Sequence, residues 1–150
     1  MNDGIILGNK IIEIVLVAML LAQILKGVFY FVKHKKYSLK QFIETGSMPS
    51  SHSATVVSLA TAVGLSEGFS STLFAITAVF ALIVMYDAAG VRRAAGEQAE
   101  LLNKIVHNIK EREGMQLLEK NLKELLGHSP LEVMAGAILG LLVALIMYGV

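Results

Sequence analysis

Pro49-Ser50-Ser51-His52-Ser53 opens an uncharged, mostly apolar run that continues to Leu65. This stretch decides the fold, because its crossing or not crossing a bilayer sets which loops share a side. At about 1.5 Å per helical residue it falls short of a hydrocarbon core of about 30 Å. It must therefore tilt, thin the bilayer or begin in the interface. Outward from it lie three longer apolar segments. Residues 11–32 are interrupted by Glu13, Gln23 and Lys26, residues 70–89 carry no charge before Asp87, and residues 131–150 carry only Glu132 near their start. The expected fold is all-α: a single polytopic membrane domain over residues 1–150, with four transmembrane helices at about 11–32, 51–65, 70–89 and 131–150.

Composition agrees. The 150 residues are 55% hydrophobic and 17% charged, with a mean hydropathy of +0.64. Ordinary soluble domains carry roughly a quarter charged residues. A net charge of +1 supplies no basic field for nucleic acid, and with no cysteine there is no disulfide, zinc–thiolate site or thiol nucleophile. The start is not read as a signal peptide, since Asp3 replaces a basic n-region and no small-residue cleavage site follows.

With four spans, the first and third loops face the same side. They hold eleven of the thirteen Lys and Arg residues, among them Lys40, Arg92 and Arg93, whereas Ser66-Glu67-Gly68-Phe69 between spans two and three has none. The positive-inside rule makes that side cytoplasmic and leaves both termini outside, in the plasma membrane of a prokaryote. The third loop, about 91–129, is itself helical in pattern. Leu101, Leu102, Ile105, Val106 and Ile109 recur at helical spacing, Gly114 breaks the run, and Leu118, Leu122, Leu125 and Leu126 form a second stripe. Two amphipathic helices are expected, as a hairpin against the membrane interface or packed on itself. Ala54, Ser58 and Ala62, and Gly136 and Gly140, fit close helix packing within the chain or in a homodimer.

Span counting brings three distant polar groups to one membrane face: Ser50, Ser51, His52 and Ser53; Asp87, Arg92 and Arg93; and His128, Ser129 and Glu132. Two of these groups are helix starts, where free N–H groups favour an anion. Guanidinium groups match phosphate oxygens, and two imidazoles can attack phosphorus and protonate a leaving oxygen. A phosphate ester on a membrane lipid is the natural partner. Each residue also has a plainer role. Ser129-Pro130-Leu131-Glu132 reads as a capping box, Ser50 as a helix cap, and Asp87 as a partner of Arg92. Lys26 reads as snorkelling inward and Glu13 as near the outer end, so neither is assigned to the site.

Three blocks, Gly46-Ser47-Met48-Pro49-Ser50-Ser51-His52-Ser53-Ala54, Tyr86-Asp87-Ala88-Ala89-Gly90-Val91-Arg92-Arg93-Ala94-Ala95-Gly96 and Gly127-His128-Ser129-Pro130-Leu131-Glu132-Val133, resemble the short, divergent branch of the type 2 phosphatidic acid phosphatase superfamily. The resemblance implies His128 as a nucleophile forming a phosphohistidine, Glu132 as its orienting carboxylate, His52 as the acid and Ser50 as a phosphate contact. The chain departs from the wider pattern at several points. Ser51 stands for Gly, Glu132 for Asp and Leu122 for an Arg, and no Lys-x6-Arg-Pro occurs. Arg92, Arg93 and Lys40 are candidates to replace those cations, together with Ser51 and Ser53 as hydroxyl contacts. The chain has fewer spans than the six-helix core of larger relatives, and a homodimer would complete that packing.

The expected function is hydrolysis of a lipid phosphate monoester or pyrophosphate. Its rivals are non-catalytic binding or transport of an anionic lipid or phosphate, and a variant in which Asp87, with Glu97 or Glu100, holds Mg²⁺. The leading reading needs no cofactor.

Overall fold

A computed structural model describes residues 8–35, 48–113 and 127–150. Among these residues five helices follow in order: α1 (Lys10–His34), α2 (Ser51–Glu67), α3 (Thr72–Ala89), α4 (Val91–Glu113) and α5 (Pro130–Tyr148). Among the described residues there is no strand.

Local chemistry sets the helix starts. Asn9, Ser50, Ser71 and Ser129 accept hydrogen bonds from the backbone N–H groups of Ile12, Ser53, Phe74 and Glu132, which answers donors that a helix leaves free in its first turn. The box expected at α5 is present in both directions, with Pro130 in the first turn. Gly68, Gly90 and Gly149 follow the ends of α2, α3 and α5.

The bundle is organised around α2, which packs against α1, α3 and α5. Ala62 meets Ile14 of α1 and Ala144 of α5, while Val56 and Ala60 meet Ala81 of α3. Small residues let α5 come close. A Cβ at Gly136 would run into the Ser50 carbonyl, and one at Gly140 would lie 3.0 Å from the Ala54 Cα. The small-residue spacing is thus used for packing inside the chain.

The four-span expectation is met in part. Among the described residues three helical stretches are long and apolar enough to cross a membrane: Lys10–Val32, Thr72–Asn108 and Pro130–Tyr148. The short α2 does not reach that length, having 17 residues, ten of them buried. Shielding explains its composition. Ser51, Ser53, Ser58 and Thr61 are buried against neighbouring helices, where lipid does not select for apolar side chains. On α3, by contrast, Leu73, Ile76, Val79, Phe80, Leu82 and Ile83 are exposed, a surface matched to hydrocarbon.

The expected hairpin also differs in detail. α4 starts at Val91, directly after Gly90, and is one continuous helix to Glu113. Leu101, Leu102, Ile105 and Val106 are exposed on it. The second amphipathic stripe, residues 118–126, lies outside the described residues, so the hairpin itself is not shown.

Candidate functional site

The site lies where the N-termini of α2 and α5 meet the C-terminal end of α3. Backbone bonds tie the three together: Ser50 N–H donates to the Glu132 carbonyl at 3.0 Å, and His128 N–H donates to the Ala88 carbonyl at 3.0 Å. This holds His128 with only 2% of its surface exposed. Its Nδ1 lies 3.3 Å from Glu132 Oε2, and the same oxygen accepts the Ser129 N–H at 2.9 Å. Glu132 therefore caps α5 and orients the imidazole at once.

With Nδ1 facing a carboxylate, the favoured tautomer carries its proton there and leaves Nε2 with a lone pair. Among the described residues, Nε2 is buried and has no hydrogen-bond partner. The His52 ring stands nearby, its centroid 6.1 Å from that of His128 at an interplanar angle of 60°. Ser53 Oγ is a second buried polar atom with no hydrogen-bond partner among the described residues. Buried polar atoms are almost always satisfied, and leaving one bare costs about 1–3 kcal/mol. Two of them at the same end of the bundle, one on a histidine, mark a place for a polar ligand.

One cation at this end was not assigned to the site from the sequence. Lys26 of α1 is 2% exposed, and its Nζ donates to Ser51 Oγ at 3.3 Å. It does not snorkel away; it turns into the bundle. Burial pushes the His128 imidazole below its ordinary pKa, the Lys26 ammonium adds to this, and Glu132 works against both. The sequence signal that would have found Lys26 is an ionisable residue well inside an apolar span, which marks function by default.

The other expected residues fall as follows. Ser50 is fully buried, caps α2 through its side chain, and supplies backbone bonds to both α2 and α5. Arg93 donates to Glu97 at 3.1 Å in an exposed pair along α4, and its backbone abuts Gly127. Arg92 belongs to α4, and its side chain lies outside what is described, as does the whole of Lys40. Asp87 is half-buried near the end of α3. Of its suggested acidic companions, Glu97 pairs with Arg93 and Glu100 with Lys104. Among the described residues no three His, Asp or Glu cluster as a metal site.

A helical bundle with three membrane-length segments among the described residues, and two histidines meeting at one end, is the architecture of an integral membrane protein with a polar site at one end. The chain belongs to the Divergent PAP2 family, which matches residues 7–143. It is similar to the "Uncharacterized membrane protein YuiD" of Bacillus subtilis (strain 168), with 43% identity over 141 residues, covering 88% of this chain and 89% of that one. No solved structure matches.

Proposed function

We propose that the protein is a membrane-embedded phosphatase that hydrolyses a lipid phosphate. The observation that carries this reading is His128: its Nδ1 is held by Glu132, its buried Nε2 has no hydrogen-bond partner among the described residues, and the His52 ring stands nearby. In the proposed reaction the Nε2 lone pair attacks phosphorus. The bond to the ester oxygen breaks, and that oxygen leaves with a proton from His52. Water then attacks the phosphohistidine, gives a proton to His52, and releases phosphate with His128 restored. Lys26 and Ser53 face the phosphoryl oxygens in this scheme, with Ser51 holding Lys26 in place. Arg92, Arg93 and Lys40 are proposed as further anion contacts at the mouth; Arg93 would have to leave Glu97 to serve.

The uneven loop charge supports a four-span topology with the site cytoplasmic and both termini outside. The test is phosphate release by the purified protein from phosphatidate, phosphatidylglycerophosphate and polyprenyl phosphate in mixed micelles. Release that His128→Ala and His52→Ala both abolish supports the scheme. Undiminished release from both variants ends it. The engagement of Arg93 with Glu97 favours a second reading, lipid or phosphate binding without turnover. Saturable binding with no release would select that one.

A further inference from the structure

Below the histidines, α3 and α5 both lean on α2 but touch each other only sparsely. Between them runs a groove of about 390 Å³, floored by Val57 and Ala60 of α2 and walled by Ala78 and Leu82 of α3 and by Leu141 and Leu145 of α5. It opens sideways, and its lining is almost wholly carbon.

Its two ends carry the meaning. At the site end it begins beside Met85, one turn before Ala88, whose carbonyl anchors His128. On α2, Val57, Ala60 and Thr61 continue the helix face that starts with Ser53, at steps of one and two turns. At the far end Phe69 and Phe74 close it, packed edge to face with ring centroids 5.1 Å apart. They fit because position 64 is glycine; a Cβ there would lie 3.0 Å from the Phe74 ring and closer still to Phe69. Ser53 to Gly64 is eleven residues along α2, or about 16 Å of rise. That is close to one leaflet of a hydrocarbon core about 30 Å thick.

An uncharged groove inside hydrocarbon takes neither water nor a headgroup. A helix about 10 Å across is too wide to enter it. A flexible hydrocarbon chain fits, and one whose polar end sits at Ser53 and His128 would reach the aromatic stop with a leaflet's length. We propose that the groove holds one chain of the lipid whose phosphate lies at His52 and His128, so that the substrate carries ordinary acyl chains rather than a long polyprenyl chain. The identity of the substrate rests on the phosphatase reading; the chain site does not.

The experiment uses the full-length protein in phosphatidylcholine nanodiscs with a phosphatidate bearing a photoactivatable diazirine in one acyl chain, cross-links being mapped by mass spectrometry. Cross-links are expected to concentrate on Val57, Ala78, Leu82 and Leu141. Filling the groove with Ala78→Phe should cut them about tenfold, the scale at which an apolar pocket discriminates by size. Ala75→Phe, on an exposed part of α3 outside the lining, should leave them unchanged. Should Ala78→Phe not fold, Ala78→Leu and the wild-type map decide. Cross-links spread evenly over the outer faces of α1, α3 and α5, or unaffected by the filled groove, overturn the chain site. In parallel, phosphatidate should be hydrolysed faster than a long polyprenyl phosphate, and Ala78→Phe should lower the ratio of long-chain to short-chain phosphatidate hydrolysis. Equal or faster polyprenyl phosphate hydrolysis overturns the substrate claim. No hydrolysis of any ester by the wild type defeats the phosphatase reading alone, with the cross-link map still deciding the groove.

Discussion

His128, just before the Ser129 cap of α5, and Glu132, in the first turn of that helix, face each other with Nδ1 and Oε2 separated by 3.3 Å. Because Glu132 Oε2 also accepts the Ser129 N–H, one carboxylate joins the helix start to the imidazole. The two duties can be separated. Glu132→Gln keeps a residue able to close the capping box, so thermal stability should hold. It weakens the charge that orients and supports His128, and kcat should fall about 10²-fold to 10⁴-fold. Ser129→Ala should do the reverse, costing about 1 kcal/mol of stability with a smaller loss of rate. Paired thermal melts and turnover assays check both.

Lys26 is buried beside Ser51, at the end of the bundle that carries the histidines. Lys26→Met keeps much of its apolar stem and removes the charge. Phosphate release should drop about 10²-fold, as expected for a lost electrostatic contact to the reacting group. Ser51→Ala, which removes only the anchor of the ammonium, should cost less than Lys26→Met. Rates near wild type in Lys26→Met would take Lys26 out of the mechanism.

The pH dependence has a definite sign. In the proposed reaction His128 attacks as the neutral imidazole, and its pKa is lowered by burial first and by Lys26 second, against the pull of Glu132. His52 is the other titrating group facing it. The acid limb of the kcat profile should therefore lie below the ordinary histidine value of about 6.5. In Lys26→Met one lowering influence is gone, and the limb should move to higher pH. A pH–rate series on both proteins reads this directly.

Gly136 and Gly140 set how closely α5 approaches α2. Gly136→Ala pushes a methyl group into the Ser50 carbonyl, and Gly140→Ala into that of Ala54. Each should destabilise the protein by about 1–3 kcal/mol, the usual cost of overpacking. Gly136→Ala should also reduce activity strongly, since it displaces Ser50 from Glu132. Leu142→Ala, on the exposed side of α5, should change both little.

Much of this was legible in the chain itself. Apolar runs placed α1, α2, α3 and α5 to within a few residues, with the Ser50 and Ser129 starts marking α2 and α5, because capping and hydrophobic length are local properties. Span counting alone then brought residues 50–53, Asp87 with Arg92 and Arg93, and residues 128–132 to one end. Three features were not legible, each for a tertiary reason. Lys26 turns inward because a hydroxyl on α2 awaits it; it shares the buried face of α1 with Ile14, Ala18 and Ala22 at four-residue steps, but the hydroxyl itself is a tertiary partner. The short α2 keeps its polar side chains because other helices cover it. Arg93 meets Glu97 because α4 begins immediately after Gly90, whereas the heptad-like pattern became visible only from Leu101.

The most direct measurement is a rapid alkaline quench of the protein during turnover of phosphatidate, with peptide mapping for a phosphoryl group on histidine. A phosphoryl group on His128, absent from His128→Ala and accumulating when water attack is slowed by His52→Ala, is the expected result. Steady phosphate release with His128 never modified, or release that survives His128→Ala intact, would contradict it.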